Sequence, residues 1–102
     1  MLNILISVFL TAVVVSPQPK VEDDPALVIT FPSQGVAQMD WDAFGGSSIY
    51  TVEVFELPGL NRVHYSTTTQ LTETVSGLTS SVTYRYKVAN GTNYIIMDTE
   101  TP

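Results

Sequence analysis

The sequence predicts an all-β sandwich of seven short antiparallel strands, and three observations carry that reading. From residue 25 onward no stretch shows the apolar period of a helix. Short runs rich in Val, Ile, Thr, Tyr and Phe alternate instead with turn signals about every ten residues, the spacing of a sandwich or barrel. Within these runs apolar and polar side chains alternate, which gives each strand one face for a core and one for solvent.

The first strand is predicted over residues 26–31 and stops at Pro32, which has no N–H to give to a ladder. The second covers 36–41, with Ala37, Met39 and Trp41 on one face and Gln38, Asp40 and then Asp42 on the other. Gly45-Gly46-Ser47-Ser48 is a turn. The third strand covers 49–56 and sends Tyr50, Val52 and Val54 one way, Thr51, Glu53 and Phe55 the other; Pro58-Gly59 breaks it. Residues 62–67 form a short edge strand, and 71–75 the next, closed by Ser76-Gly77. Residues 83–89 turn Tyr84, Tyr86 and Val88 inward and Arg85 and Lys87 outward. Asn90-Gly91 is a strong hairpin signal, since both central residues of a type I′ turn need positive φ, and 94–99 is the returning strand.

With no cysteine, stability has to come from burial. Trp41, Tyr50, Tyr84 and Tyr86 each bury on the order of 150–250 Å², or roughly 4–6 kcal/mol of gross transfer energy before entropy. Together with Val52 and Val88 they are expected at the centre of the core, as structural residues and not a ligand box.

Composition narrows the function. Four Lys/Arg against ten Asp/Glu give a net charge of −6, which argues against binding a run of phosphates. The absence of cysteine removes thiol catalysis and Cys-based zinc sites, and a single histidine, His64, removes two-histidine metal sites. No cofactor or metal is expected. At 102 residues the chain is about one domain.

Residues 2–15 are uncharged and strongly apolar. As a helix they span about 21 Å, short of the roughly 30 Å hydrocarbon core. Residues 1–16 therefore read as a signal peptide, with a retained hydrophobic anchor or an added strand as the alternatives. Membrane contact is expected only through this segment, if it is uncleaved. Residues 17–24, rich in proline and acid, read as a solvated linker, and 25–102 as the domain.

The order of the domain's residues resembles a fibronectin type III domain, an immunoglobulin-like sandwich. The resemblance rests on Trp41 at the end of the second strand, Tyr50-Thr51-Val52 in the third, and Gly77-Leu78 followed by Tyr84-Arg85-Tyr86-Lys87-Val88. It spans about three quarters of the chain. It implies a tyrosine corner, with the Tyr84 hydroxyl bonding back to backbone near Leu78. Ser80-Ser81 stands where the family has Pro-Gly, Ala37 is small for its position, and no Arg-Gly-Asp triplet is present, so integrin binding of that type is not implied.

For chemistry, His64 lies between Val63 and Tyr65 in an edge strand and reads as a surface residue rather than a catalytic base. Asp40-Trp41-Asp42 places two carboxylates on one face, but no oxygen-rich loop follows to complete a calcium site. Asn90-Gly91-Thr92 is an N-glycosylation sequence on an expected hairpin tip, and residues 66–69 a Ser/Thr run that also suits a strand. Glu53 is expected to attract Arg85 and Lys87 across neighbouring strands, with Phe55 on the same outer face.

The function expected is a non-catalytic, secreted or cell-surface interaction or spacer module that contacts a protein or glycan. Phe44, Glu53, Phe55, Arg85 and Lys87 are the candidate contacts. The alternatives are a spacer within a larger secreted enzyme and an envelope-assembly protein that binds by strand addition.

Overall fold

The computed structural model describes residues 21–22 and 27–102. The signal-like segment expected over 1–16 lies outside them, as does most of the linker. The described residues form strands, turns and loops with no helix. In chain order these are β1 (Val21–Glu22), β2 (Leu27–Ser33), β3 (Val36–Trp41), β4 (Tyr50–Glu56), β5 (Asn61–Thr68), β6 (Thr72–Val75), β7 (Thr83–Asn90) and β8 (Asn93–Glu100).

Seven of them, β2 to β8, pair antiparallel in two sheets. One sheet has the order β2-β3-β6; the other runs β8-β7-β4-β5, with β1 added beside β8. The period-two alternation decides which side of each sheet is dry. Along β4 and β7 every second residue is buried, and the intervening ones are partly exposed. The buried set from both sheets meets as one cluster, with Ala37, Met39 and Trp41 from β3, Tyr50, Val52 and Val54 from β4, Tyr84, Tyr86 and Val88 from β7, and Ile95 from β8. The indole of Trp41 is 5 % exposed and meets the Tyr50 ring edge-on at 5.8 Å.

At the end of the sandwich where β6 leads into β7, Thr79 N–H donates to the Tyr84 hydroxyl at 2.9 Å, and the Leu78 side chain is buried beneath. Leu78 N–H also donates to the Gly35 carbonyl, which ties this connection to the β2–β3 turn. Gly35 has φ +74 and a Cβ there would sit 3.1 Å from the Leu78 oxygen, so the turn accepts little else. Burial pushes the Tyr86 phenol up to about 12, helped by neighbouring Tyr84. The Thr101 hydroxyl offsets part of that rise without completing a hydrogen bond to it.

Three expectations need correction here. β2 does not stop at Pro32 but continues to Ser33 through a register shift between Thr30 and Ser33; an irregular stretch of an edge strand needs no N–H at every residue. The β7–β8 hairpin closes on the pair Asn90↔Asn93, so its two-residue loop is Gly91-Thr92 rather than Asn90-Gly91. Of these only Gly91 has positive φ, the type II′ pattern. And within the stretch read as linker, Val21–Glu22 lies parallel to β8 opposite Tyr94 and Ile95.

Candidate functional site

The pairing register builds the outer face of the larger sheet row by row. One row reads Tyr65, Glu53, Lys87, Ile96 across β5, β4, β7 and β8; the next reads Arg62, Phe55, Arg85, Asp98. The fold thus brings Glu53, Phe55, Arg85 and Lys87 together on adjacent strands. It also gathers three of the chain's four cations, Arg62, Arg85 and Lys87, on one face of an acidic protein. Aromatic rings lie between them: Tyr65 is 56 % exposed, and Phe55 and Tyr94 are half-buried.

The ion pairs differ from those expected. Glu53 is paired with neither Arg85 nor Lys87; its carboxylate accepts from Arg62 at 3.0 Å. Arg85 turns the other way and grips Asp98 with two parallel bonds of 2.9 and 3.0 Å. That fork holds the Asp98 carboxyl below its usual range and raises the Arg85 guanidinium. Arg62 also lies 4.7 Å from the centre of the Tyr65 ring, and the Lys87 ammonium 5.0 Å from that of Tyr94. Among the described residues Lys87 has no carboxylate partner.

Between these side chains runs a shallow groove of about 300 Å³, lined by Phe55, Leu60, Arg85, Lys87, Tyr94 and Ile96. Leu60 reaches it from the β4–β5 turn with φ +57, a left-handed conformation that costs a residue with a Cβ about 1–2 kcal/mol. Its side chain is 51 % exposed, so burial offsets little of that cost.

Phe44 stands apart from this face, in the loop between β3 and β4. Its ring packs on Tyr50 at 5.3 Å, and its N–H donates to the Tyr50 hydroxyl at 3.2 Å. Asn90 explains how that loop is held. Its side-chain amide donates to the Ser47 carbonyl at 2.6 Å and accepts from Ser47 N–H at 3.1 Å. Gly45, at φ +79, passes so close that a Cβ there would come within 2.5 Å of the Asn90 side chain. Asn90 is 2 % exposed and its amide nitrogen is engaged, so in the folded chain it is not an open acceptor for a glycan. Its role is to clamp a loop.

His64 is not a plain surface residue. It projects from β5 toward Glu73 of β6, with Nε2 2.8 Å from the carboxylate oxygen that Ser66 Oγ also donates to. β5 and β6 are the edges of opposite sheets, so the three polar groups close the side of the sandwich between them. A hydrolytic relay needs a base between acid and nucleophile. Here the acid sits in the middle and takes both partners. Asp40 accepts from Gln38 at 3.2 Å, and no group of three or more His, Asp or Glu side chains that could hold a metal ion occurs among the described residues.

Compared with known proteins, the chain matches no family model and no curated relative.

Strand parity carried Glu53, Phe55, Arg85 and Lys87 to one face, but reading along the chain missed the residues that complete it. Leu60 lies in a turn, Arg62 and Tyr65 flank a bulge in β5 whose register parity does not give, and Tyr94 and Ile96 share the face by parity but take their rows from the hairpin's true closing pair. Counting back from Asn90↔Asn93 would have placed the last two.

Proposed function

We propose that this chain is a fibronectin type III-like interaction module, secreted or displayed at a cell surface, that binds another protein through the outer face of β5-β4-β7-β8. The sheet orders β8-β7-β4-β5 and β2-β3-β6 support the fibronectin type III-like subtype, as does the Thr79–Tyr84 bond. The observation that carries the binding reading is the outer face itself. Phe55, Tyr65, Tyr94 and Ile96 alternate there with Arg62, Arg85 and Lys87, the aromatic and arginine-rich mixture that interfaces favour. Such a module works by rigidity. The core fixes the rows and the ion pairs fix the side chains, so little freedom is lost on docking.

The alternative of strand addition at β8 is disfavoured, because Val21–Glu22 already pairs with that strand at Tyr94 and Ile95.

The test is capture from the extracellular material of the source, using wild-type chain, Phe55→Ser and Val28→Ser, the last on the opposite outer face. A specific partner retained by wild type and Val28→Ser, and reduced about tenfold or more by Phe55→Ser, supports the reading. Equal retention by all three, or no specific partner, overturns it. Circular dichroism of each variant shows that the fold is kept.

A further inference from the structure

Resting on that reading, we infer that the groove between Phe55, Leu60, Tyr94 and Ile96 receives an acidic peptide segment, seating one large apolar side chain while a neighbouring carboxylate bonds Lys87. The walls of the groove are apolar or aromatic, and its charged lining residues, Arg85 and Lys87, are both cations. At about 300 Å³ it stands at the small end of ligand pockets, with room for one large side chain.

Charge decides what sits beside that side chain. Among the described side chains two carboxylates stand in the rows that flank the groove, and both are occupied. Asp98 holds both ends of the Arg85 fork, and Glu53 holds Arg62. A third, Glu100, lies further along β8 opposite Thr83. Lys87 rests over the Tyr94 ring instead, a contact weaker than a carboxylate bond and readily kept when an anion arrives from solvent. The chain is acidic overall, with ten Asp/Glu against four Lys/Arg, so the attraction for an acidic segment is local: three of the four cations lie on this face, and among the described residues Lys87 alone of the three has no carboxylate partner. Leu60 adds an independent sign. A leucine kept in a left-handed conformation, half exposed, with its side chain on the groove wall, is strain retained where the side chain has a use.

The experiment is a titration of the full ¹⁵N-labelled chain, followed by amide shifts, with three capped tripeptides: Glu-Phe-Glu, Glu-Ala-Glu and Lys-Phe-Lys. The proposal expects Glu-Phe-Glu to shift the amides of Phe55, Leu60, Lys87, Tyr94 and Ile96 in a saturable way. Glu-Ala-Glu, lacking the apolar anchor, and Lys-Phe-Lys, with reversed charge, each bind at least about tenfold more weakly. Lys87→Glu weakens Glu-Phe-Glu by about tenfold or more, while Thr30→Glu on the opposite face leaves it unchanged. Lys-Phe-Lys binding as well as Glu-Phe-Glu, indifference to Lys87→Glu, shifts centred elsewhere, or no saturable shift overturns the proposal. If it fails while Phe55→Ser still abolishes capture of the extracellular partner, the face remains an interface and only the acidic-segment chemistry is lost. If the added peptide instead releases a self-associated chain, as sedimentation would register, the groove's occupant is a second copy and the proposal is overturned in that form.

Discussion

The two outer faces of this sandwich are built by the same alternation and have little else in common. On the smaller sheet the outward rows read Val28, Asp40, Thr72 and Thr30, Gln38, Thr74. They hold no aromatic residue and no cation, and among the described residues their side chains form one hydrogen-bonded pair, Gln38 to Asp40 within β3. On the larger sheet the same positions carry Phe55, Tyr65, Tyr94 and Ile96, three cations, and two ion pairs. Solvation alone needs only the first kind of face. Thr and Gln side chains satisfy a strand exposed to water, and nothing in folding calls for a groove whose lysine has no carboxylate partner among the described residues. This contrast is what supports the proposal that the second face is the interacting one.

Both faces stand on one core, so the strongest way to break the contrast is to remove what they share. Trp41→Ala should cost about 3–5 kcal/mol and lose both faces together, as one cooperative transition in urea followed by circular dichroism. Two separated transitions would mean that each sheet holds its own face. Alkali acts on the same core. The Tyr86 phenol is raised from 10.0 to about 12 in the fold, so its contribution is complete below pH 10 and is lost as pH climbs toward 12. The loss is on the order of 2–3 kcal/mol. Tyr86→Phe, which removes the ionisation and an unpaired hydroxyl, should flatten the fall in urea midpoint across that interval.

The smallest effect sharpens the contrast. Asp98 has a lowered pKa through its bond to Arg85, so it stabilises the fold above its ordinary value of 3.8 and loses that contribution as pH falls below it. Both side chains are substantially exposed, and the gain is near the limit of detection. Melting curves between neutral and acid pH should show a slight acid sensitivity that Asp98→Asn abolishes and that Asp40→Asn on the other face leaves alone.

What could be read along the chain follows from period two. The sides taken by Trp41, Tyr50, Val52, Tyr86 and Val88 were legible because a strand has only two sides and the apolar residues choose one. The tie from Tyr84 to the backbone beside Leu78 could be expected because both ends lie within one short connection. Contacts between sheets were not legible. Nothing in the run from 61 to 75 says that His64 will find Glu73, since that depends on two edge strands of different sheets coming side by side. Asn90 misled for the opposite reason. Asn-Gly has a sufficient local explanation as a turn, and this hid the long-range one, a clamp on Ser47. The partner of Glu53 was missed because the choice between Lys87 and Arg62 turns on the register of β5.

That register has a consequence for self-association. β5 is eight residues long, ends its sheet, and leaves one row of backbone groups unpaired. Such an edge invites other chains to stack along it and polymerise. The ladder skips Val63 between His64 and Arg62, so the strand carries a bulge. A bulge bends and twists the edge, and a neighbour laid along it would keep step only over residues 64–68 before meeting Val63 and the charge of Arg62. Among the described residues no other strand covers this border of the larger sheet, and the single extra residue in β5 works against fibre growth along it.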